Sequence, residues 1–236
     1  MKNIILYIVI LFSLGIIGLS GCKDITTEGF TEITYYPSLK VKGEPVVIIN
    51  IGAEYVDAGA EAILNGEDVS DQIVIKSNVD ASKGGIYSVS YSISNDDGFV
   101  VTGTRAVYVI DPTPSPITSG VYTVAAGSHR LWHENNAVVD FEGYEILILQ
   151  MEPGVFYISD FMGGYYDKRA GYGSNYAMTG YFQLNPDNTI TPISSHVAGW
   201  GDSMDKMNSG SVDPVTGDIA YSIDYAGLMT FNIFLN

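Results

Sequence analysis

The chain has 236 residues, one cysteine and a formal net charge of -16, with 27 acidic side chains against 11 basic ones. A surface this acidic repels phosphate groups, which argues against nucleic acids and direct binding to anionic membrane surfaces. The single cysteine has no partner for a disulfide, so stability has to come from buried apolar area. The abundance of Tyr, Gly, Val, Ser and Asp is typical of a β protein with many turns.

The N-terminus has the order of features found in a secretory signal peptide. Lys2 precedes an uncharged apolar run over residues 4–17, which leads to Leu19-Ser20-Gly21-Cys22. These four residues resemble the bacterial lipobox, in which the cysteine is acylated and the chain is cut before it. We therefore predict a signal peptide at residues 1–21 and a palmitate-type lipid on Cys22.

A transmembrane anchor and an ordinary secretory signal are the alternatives. A spanning helix needs about 20 apolar residues, a length that the run reaches only if the glycines and the serine at its end are included. An ordinary secreted chain would keep Cys22 as an unpaired thiol, a problem that acylation removes. Residues 22–32 are predicted to form a polar tether. Its Lys23-Asp24 resembles the acidic export signals of Bacteroidetes surface lipoproteins, which implies a lipid-anchored protein at the outer membrane that faces the cell surface; an ordinary solvated linker is the alternative.

Residues 33–111 alternate like a set of short strands. The clearest run is 85–94, where aromatic and aliphatic residues take one face and serines the other. A period of two indicates a strand half buried in an antiparallel sheet, and the following Asn95-Asp96-Asp97-Gly98 predicts a hairpin turn into a partner strand over 99–110. Earlier strands are predicted at 46–49, 60–64 and 73–76. Short strands at this spacing are typical of a small β-sandwich.

Several stretches of this segment resemble the Ig-like domain that is repeated in bacterial surface proteins. They are Tyr55-Val56-Asp57-Ala58-Gly59-Ala60, Asp68-Val69-Ser70, Val79-Asp80, 84–91 and 105–111. The resemblance covers most of the segment, and it implies an Ig-like β-sandwich that acts as a spacer or an adhesive unit. A fold of this kind does not by itself determine a function.

Asp111-Pro112-Thr113-Pro114-Ser115-Pro116 marks the boundary between two domains. Three prolines at alternate positions favour an extended, semi-rigid conformation. We therefore predict a linker at 112–116 that holds the second domain out from the first at a limited range of angles.

Residues 117–236 again have the pattern of strands, without a helical period. Strands are predicted at 120–125, 145–150, 155–159, 177–184, 219–223 and 228–235, with turns at 185–188 and 213–218. The pattern indicates an antiparallel β-sandwich, with a flattened barrel as the alternative. The predicted fold class of the whole chain is all-β.

The order of lipobox, Ig-like module, proline linker and aromatic domain resembles a group of Bacteroides surface lipoproteins whose C-terminal domain has no assigned function. The resembling stretches of that domain are 157–166, 171–176 and 197–203. Many of these relatives lie near polysaccharide-uptake systems, so the resemblance implies glycan handling. It carries over no catalytic residues.

The stretch from 160 to 180 and the later Trp200 combine aromatic rings with glycines. Glycines allow close approach of a ligand, and aromatic rings offer flat apolar faces that suit the C–H faces of sugars. The candidate ligand-binding residues are Tyr165, Tyr166, Tyr172, Asn175, Tyr176, Trp200 and Asp202, with Asp160 and Asp167 as further polar partners. The alternative is that these rings are core residues.

Other titratable residues offer weaker indications of chemistry. His129 and His133 are spaced as in half a helical zinc site, but on a strand this spacing separates them by about 13 Å, so we predict no metal site and no cofactor. Two pairs of acids are candidates for the catalytic carboxylates of a glycoside hydrolase. They are Asp202 with Asp205 and Asp160 with Asp167. A solvated surface or calcium binding is the alternative role of these acids.

We therefore predict a non-enzymatic, lipid-anchored envelope protein whose Ig-like domain and linker present a β domain to a glycan or a protein partner. A structural or docking subunit of an outer-membrane complex is the second hypothesis, and it requires a continuous exposed apolar patch. A glycoside hydrolase is the third, and it requires two carboxylates about 5 to 9.5 Å apart in one cleft.

Overall fold

The computed structural model describes residues 33–236, and the predictions for the signal peptide, Cys22 and the tether lie outside this range. The described chain is almost entirely β, which confirms the predicted fold class. Short helical turns are confined to Ser70–Gln72, Tyr165–Arg169 and Ser174–Tyr176 within that range. No helix of residues 33–236 is both long enough and apolar enough to span a membrane.

The N-terminal sandwich consists of two sheets. Its strands are β1 (Ser38–Val41), β2 (Val46–Asn50), β3 (Ala60–Leu64), β4 (Glu67–Asp68), β5 (Val74–Ser77), β6 (Gly85–Ser94) and β7 (Val100–Ile110). One sheet has the order β1-β3-β4, and the other has the order β2-β7-β6-β5. The pairing of β2 with β7 is parallel, which the sequence did not indicate because alternation reports burial and not strand direction.

Strand β6 shows how the alternation of the sequence becomes packing. Val89, Tyr91 and Ile93 are buried, and β6 pairs antiparallel with β7 along its whole length. The side chain of Asn95 accepts a hydrogen bond from the backbone N–H of Phe99 at 2.8 Å and so closes the turn between the two strands. The hairpin predicted from the sequence is therefore present.

The C-terminal sandwich consists of two five-stranded antiparallel sheets. Its strands are β8 (Gly120–Thr123), β9 (His129–Trp132), β10 (Ala137–Asp140), β11 (Glu145–Glu152), β12 (Val155–Ile158), β13 (Met178–Leu184), β14 (Ile190–Val197), β15 (Lys206–Val212), β16 (Ile219–Tyr225) and β17 (Met229–Leu235). The sheet orders are β14-β13-β12-β11-β8 and β10-β9-β17-β16-β15. Only isolated bridges such as Val124 with Leu235 join the two sheets in the described chain. The sandwich is therefore correct, and the flattened barrel is not formed.

The core of the C-terminal sandwich is aromatic. Phe156 and Phe182 stack with their ring centroids 5.4 Å apart, and Phe161 meets Tyr221 edge to face at 5.9 Å. These four side chains are buried, and each fully buried ring contributes about 1.5 to 3 kcal/mol of apolar transfer free energy. Aromatic residues of this domain thus serve the core as well as the surface.

The proline linker lies against the second domain. The backbone N–H of Asp111 donates to the carbonyl of Gln150 at 2.8 Å, and the buried Gln150 side chain donates to the Thr113 carbonyl at 3.0 Å. On the side of the first domain, a Cβ at Gly84 would lie 1.9 Å from the carbonyl oxygen of Met151. The Ig-like sandwich and the linker are therefore both in contact with the end of β11.

Candidate functional site

Five aromatic residues cluster at the end of the C-terminal sandwich where β12, β14 and β16 finish. We call this set the ring cluster, and its members are Tyr166, Tyr172, Tyr176, Trp200 and Tyr225. Three connections supply them: the β12–β13 loop, the β14–β15 loop and the end of β16. Three segments that are distant in the sequence thus meet at one surface.

The β12–β13 loop is held by a buried carboxylate. Asp160, which is 2% exposed, accepts hydrogen bonds from the backbone N–H groups of Met162 at 2.8 Å, Gly164 at 2.9 Å and Met178 at 2.9 Å. Its three partners lie at both ends of the loop. Burial raises the pKa of Asp160 to about 6, even though these N–H groups favour the charged form.

A single π-helical turn, Tyr165–Arg169, follows two glycines with positive φ, Gly163 at 63° and Gly164 at 76°. Because L side chains rarely adopt this backbone conformation, the two glycines allow the chain to turn sharply from the core to the surface. The turn directs Tyr165 into the core and leaves Tyr166 half-buried.

The β14–β15 loop presents Trp200 through a tight backbone turn. The N–H of Gly201 donates to the Val197 carbonyl at 2.8 Å, and the N–H of Gly199 donates to the Asn175 carbonyl at 2.7 Å. A Cβ at Gly199 would lie 2.6 Å from the Tyr176 ring, so a larger residue there would displace this tyrosine. The loop is therefore fixed to the segment that carries Asn175 and Tyr176.

Trp200 is the centre of the ring cluster. Its ring centroid lies 4.8 Å from those of Tyr166 and Tyr176, 6.1 Å from that of Tyr225 and 6.2 Å from that of Tyr172. Even so, Trp200 is 41% exposed and Tyr172 is 56% exposed. The planes of these two rings are 82° apart, so the exposed surface is angular and not one flat platform.

Two polar residues border the rings. Both carboxylate oxygens of Asp202 accept the Tyr225 hydroxyl at 2.9 Å. Burial first, and then Asp202, raise the pKa of Tyr225 well above its ordinary value, so this hydroxyl stays protonated. Asn175 is exposed. An amide and a carboxylate thus lie beside aromatic faces at the surface.

The structure separates the predicted candidates into two groups. Tyr166, Tyr172, Tyr176 and Trp200 come together, with Asn175 and Asp202 beside them. Tyr165 does not belong to this surface: it is 5% exposed and packs on Phe141 and Phe231 in the core. Asp160 is buried with both oxygens bonded, so it is a loop anchor and not a polar partner for a ligand.

Tyr225 is a member of the site that the sequence analysis missed. It lies at the end of a strand whose alternation, from Ile219 to Tyr225, indicates only a core residue. The Asp167 side chain is half-buried on the π-helical turn. With Asp160 occupied by the backbone, the acid pair of Asp160 and Asp167 does not provide the catalytic pair of a glycosidase.

The histidines and the other acids take part in local hydrogen bonds. The ring nitrogens of His129 contact the Gly127 carbonyl at 2.8 Å and the Asn232 amide at 3.1 Å, and His133 contacts Thr230 at 2.8 Å. Asp205 accepts the backbone N–H of Gly227 at 2.7 Å. Across residues 33–236, no group of three or more potential metal ligands lies together.

Two family models match the chain in sequence order. The model described as bacterial surface protein, Ig-like domain, matches residues 39–109, and a model of a C-terminal domain matches residues 111–236. The search of curated proteins gave no match.

Among solved structures, the chain is similar to the lipoprotein BT2262 from Bacteroides thetaiotaomicron, with 51% identity and a TM-score of 0.74. This match covers 85% of the present chain and 99% of that one. A structure of CBM51-2 with GlcNAc and INT domains from Clostridium perfringens ZmpB matches at 23% identity and a TM-score of 0.27, over 51% of the present chain and 31% of that one.

Proposed function

Because the chain belongs to a family of Bacteroides lipoproteins that join a surface Ig-like domain to this C-terminal domain, we propose that it is anchored by lipid at the cell surface and binds carbohydrate. The C-terminal sandwich is the binding domain, and the ring cluster is its contact surface. The Ig-like domain and the linker set the position of this surface relative to the membrane.

The observation that carries the proposal is the combination of exposure and fixation at Trp200. A large ring that is 41% exposed is held by two tyrosines at 4.8 Å and by a loop hydrogen-bonded at both ends. A ring fixed in this way loses little conformational freedom when a ligand covers it. Rigid exposed aromatic faces favour stacking against the apolar C–H face of a sugar ring.

The neighbouring polar groups suit the hydroxyls of a sugar. Asn175 offers both a donor and an acceptor, and the carboxylate of Asp202 offers acceptors beyond the bond that it makes with Tyr225. Apolar faces with a few polar groups at their border are the usual composition of a small-ligand site. We assign no catalytic role to these residues.

The lipid anchor is tested by metabolic labelling. Labelled palmitate is expected to enter the wild-type protein and not a Cys22→Ser variant, and the variant is expected to leave the membrane fraction, because residue 22 holds the only thiol of the chain. Protease added to intact cells should digest the wild-type protein if it faces the cell surface. Equal labelling of the two proteins would contradict the anchor.

Replacing Trp200 with alanine is expected to lower glycan affinity by about tenfold to a hundredfold, because covering an aromatic face contributes about 1.5 to 3 kcal/mol. A soluble form without residues 1–22 would be screened on polysaccharide gels and a glycan array. In a Trp132→Phe variant, the fluorescence comes from Trp200 alone, and it should shift when a binding glycan is added.

Phe99→Ala is the matched control, since it removes another exposed ring, 48% exposed, from the Ig-like domain. It is expected to bind glycans as the wild-type protein does. If no polysaccharide retains the wild-type protein and the protein instead captures an outer-membrane protein, the docking function replaces carbohydrate binding.

A further inference from the structure

Two arginines lie next to the ring cluster. Arg130 on β9 and Arg169 at the end of the π-helical turn both approach the ring of Tyr165, with guanidinium carbons 4.8 Å and 5.2 Å from its centroid. Arg130 also lies 5.3 Å from the centroid of the Trp132 ring. Contacts of this kind hold a guanidinium in place without neutralising its charge.

Neither arginine forms an ion pair with any residue in the range 33–236. This is unusual because acidic side chains far outnumber basic ones across residues 117–236. The two lysines of the same domain are engaged: Lys206 lies 3.7 Å from the carboxylate of Asp224, and Lys168 donates to the carbonyl of Glu145. The arginine pair is therefore the uncompensated positive charge of this sandwich.

Arg130 also has an unused hydrogen-bonding group. It is half-buried, and its Nε–H is enclosed without an acceptor among the described residues. A guanidinium has five donors in a planar fork that fits a carboxylate or a sulfate. The enclosed Nε–H is out of reach of a ligand, so acceptor oxygens of a ligand would meet the terminal N–H groups of this fork.

The arginines are connected to the ring cluster through adjacent tyrosines. The rings of Tyr165 and Tyr166 lie 5.0 Å apart, and that of Tyr166 lies 4.8 Å from Trp200. Burial raises the pKa of Tyr166, and the charge of Arg130 opposes this rise. Two tyrosine rings thus lie between the arginines and Trp200, so a sugar chain of several residues on Trp200 is long enough to reach the positive charge.

We propose that Arg130 and Arg169 form an anion subsite of the glycan site, so that the preferred glycan carries carboxylate or sulfate groups. This inference rests on the proposed carbohydrate binding and specifies its ligand class. Arg169 is exposed and meets the ligand first, and Arg130, which contacts the same Tyr165 ring, adds positive charge beside the tyrosines.

The test uses pairs of polysaccharides with the same backbone, one charged and one neutral. Polygalacturonate against its methyl ester tests the carboxylate, and a sulfated galactan against its desulfated form tests the sulfate. The charged member of at least one pair is expected to bind more tightly by about tenfold or more, since hydrogen bonds to charged groups contribute about 1.5 to 3 kcal/mol. Added salt should reduce this preference by screening.

Arg169→Gln is expected to remove most of the preference for the charged polysaccharide while leaving the binding of its neutral partner unchanged. Arg130→Lys keeps the charge but loses the fork, and it should reduce the preference without unfolding the domain. Lys168→Gln is the control, because it removes one positive charge from the same turn and should retain the preference.

Three results would overturn the inference. Equal binding of charged and neutral polysaccharides that still depends on Trp200 would leave the proposed function intact and remove the anion subsite. An equal effect of Lys168→Gln and Arg169→Gln would show that general charge, and not the arginine pair, is responsible. Absence of binding to every polysaccharide would overturn both proposals.

Discussion

An Asp57→Ala variant is expected to lose about 3 kcal/mol of unfolding free energy in the Ig-like domain, because removing the half-buried carboxylate leaves the buried Arg105 guanidinium uncompensated. Arg105 is 1% exposed, and its Nη1 donates to Asp57 and, at 3.1 Å, to the Tyr91 hydroxyl. The measurement is urea denaturation combined with amide exchange of β6 and β7.

Asp97→Ala is the control for this loss. It removes an exposed carboxylate from the same domain, and its effect is expected to stay within about 0.5 kcal/mol. A loss of less than about 1 kcal/mol in Asp57→Ala would mean that water replaces the carboxylate beside Arg105 and that the pair does not stabilise the sandwich.

The pH dependence of the Ig-like domain follows from the same carboxylate. Burial acts to raise the pKa of Asp57, but hydrogen bonds from Tyr91 and Tyr55 and the charge of Arg105 outweigh it, so the pKa lies below the ordinary 3.8. The folded state therefore binds this proton less tightly than the unfolded chain does. The contribution of Asp57 is fully present above pH 3.8 and is lost as the pH falls through the lower pKa of the folded state.

Asp57 and Arg105 also show which features of the fold can be predicted from the sequence and which cannot. Both lie in the stretches that resemble the bacterial Ig-like domain, and the alternation of 85–94 predicts β6 with its observed bounds. The hydrogen bond that joins Asp57 to Arg105 spans 48 positions. A local pattern contains no information about such a pair, since both residue types are usually exposed.

The strands that the sequence analysis missed are mainly edge strands. β14 and β15 each lie at the edge of a sheet, and the exposed residues in their middle are mainly polar, such as Ser194 and Ser209. An edge strand that is not covered needs no apolar alternation, and β14 even tolerates Pro192. Period-two patterns detect strands by burial, so these two gave no signal.

The residue types of the candidate site could be predicted from the sequence, but the burial of each ring could not. Glycine-rich aromatic loops pointed to the region that carries Trp200, but the sequence offered no means of distinguishing the buried Tyr165 from the half-buried Tyr166. These two tyrosines are neighbours on a π-helical turn, whose geometry has no regular apolar period. The loop that carries both rings is held by the buried Asp160, which the sequence analysis proposed as a polar partner for a ligand.

Replacing Asp160 with alanine is expected to reduce the unfolding free energy of the C-terminal sandwich by about 3 to 5 kcal/mol at pH 4, because three backbone N–H groups lose their acceptor. Glycan binding should fall as well, since this carboxylate holds the loop that carries Tyr166 and Tyr172. The measurements are urea denaturation followed by Trp fluorescence and gel retention on the polysaccharide that binds the wild-type protein.

The pH profile of the Asp160 variant has the opposite sign to that of Asp57. Burial raises the pKa of Asp160 from 3.8 to about 6, so its contribution to stability is fully present below pH 3.8 and is lost as the pH rises through about 6. The wild-type sandwich should lose about 3 kcal/mol over this window, and the alanine variant should not. The difference between the two proteins is therefore expected to shrink towards pH 7.

Tyr221→Phe is the matched control for Asp160→Ala, because it alters a fully enclosed polar group in the same core. The Tyr221 hydroxyl is buried without a hydrogen-bond partner among residues 33–236, so its removal should leave stability unchanged or raise it. A comparable loss of unfolding free energy in both variants would show that the effect comes from core packing in general. An unchanged pH profile in Asp160→Ala would show that the carboxylate does not titrate in this window, and the loop would then need another anchor.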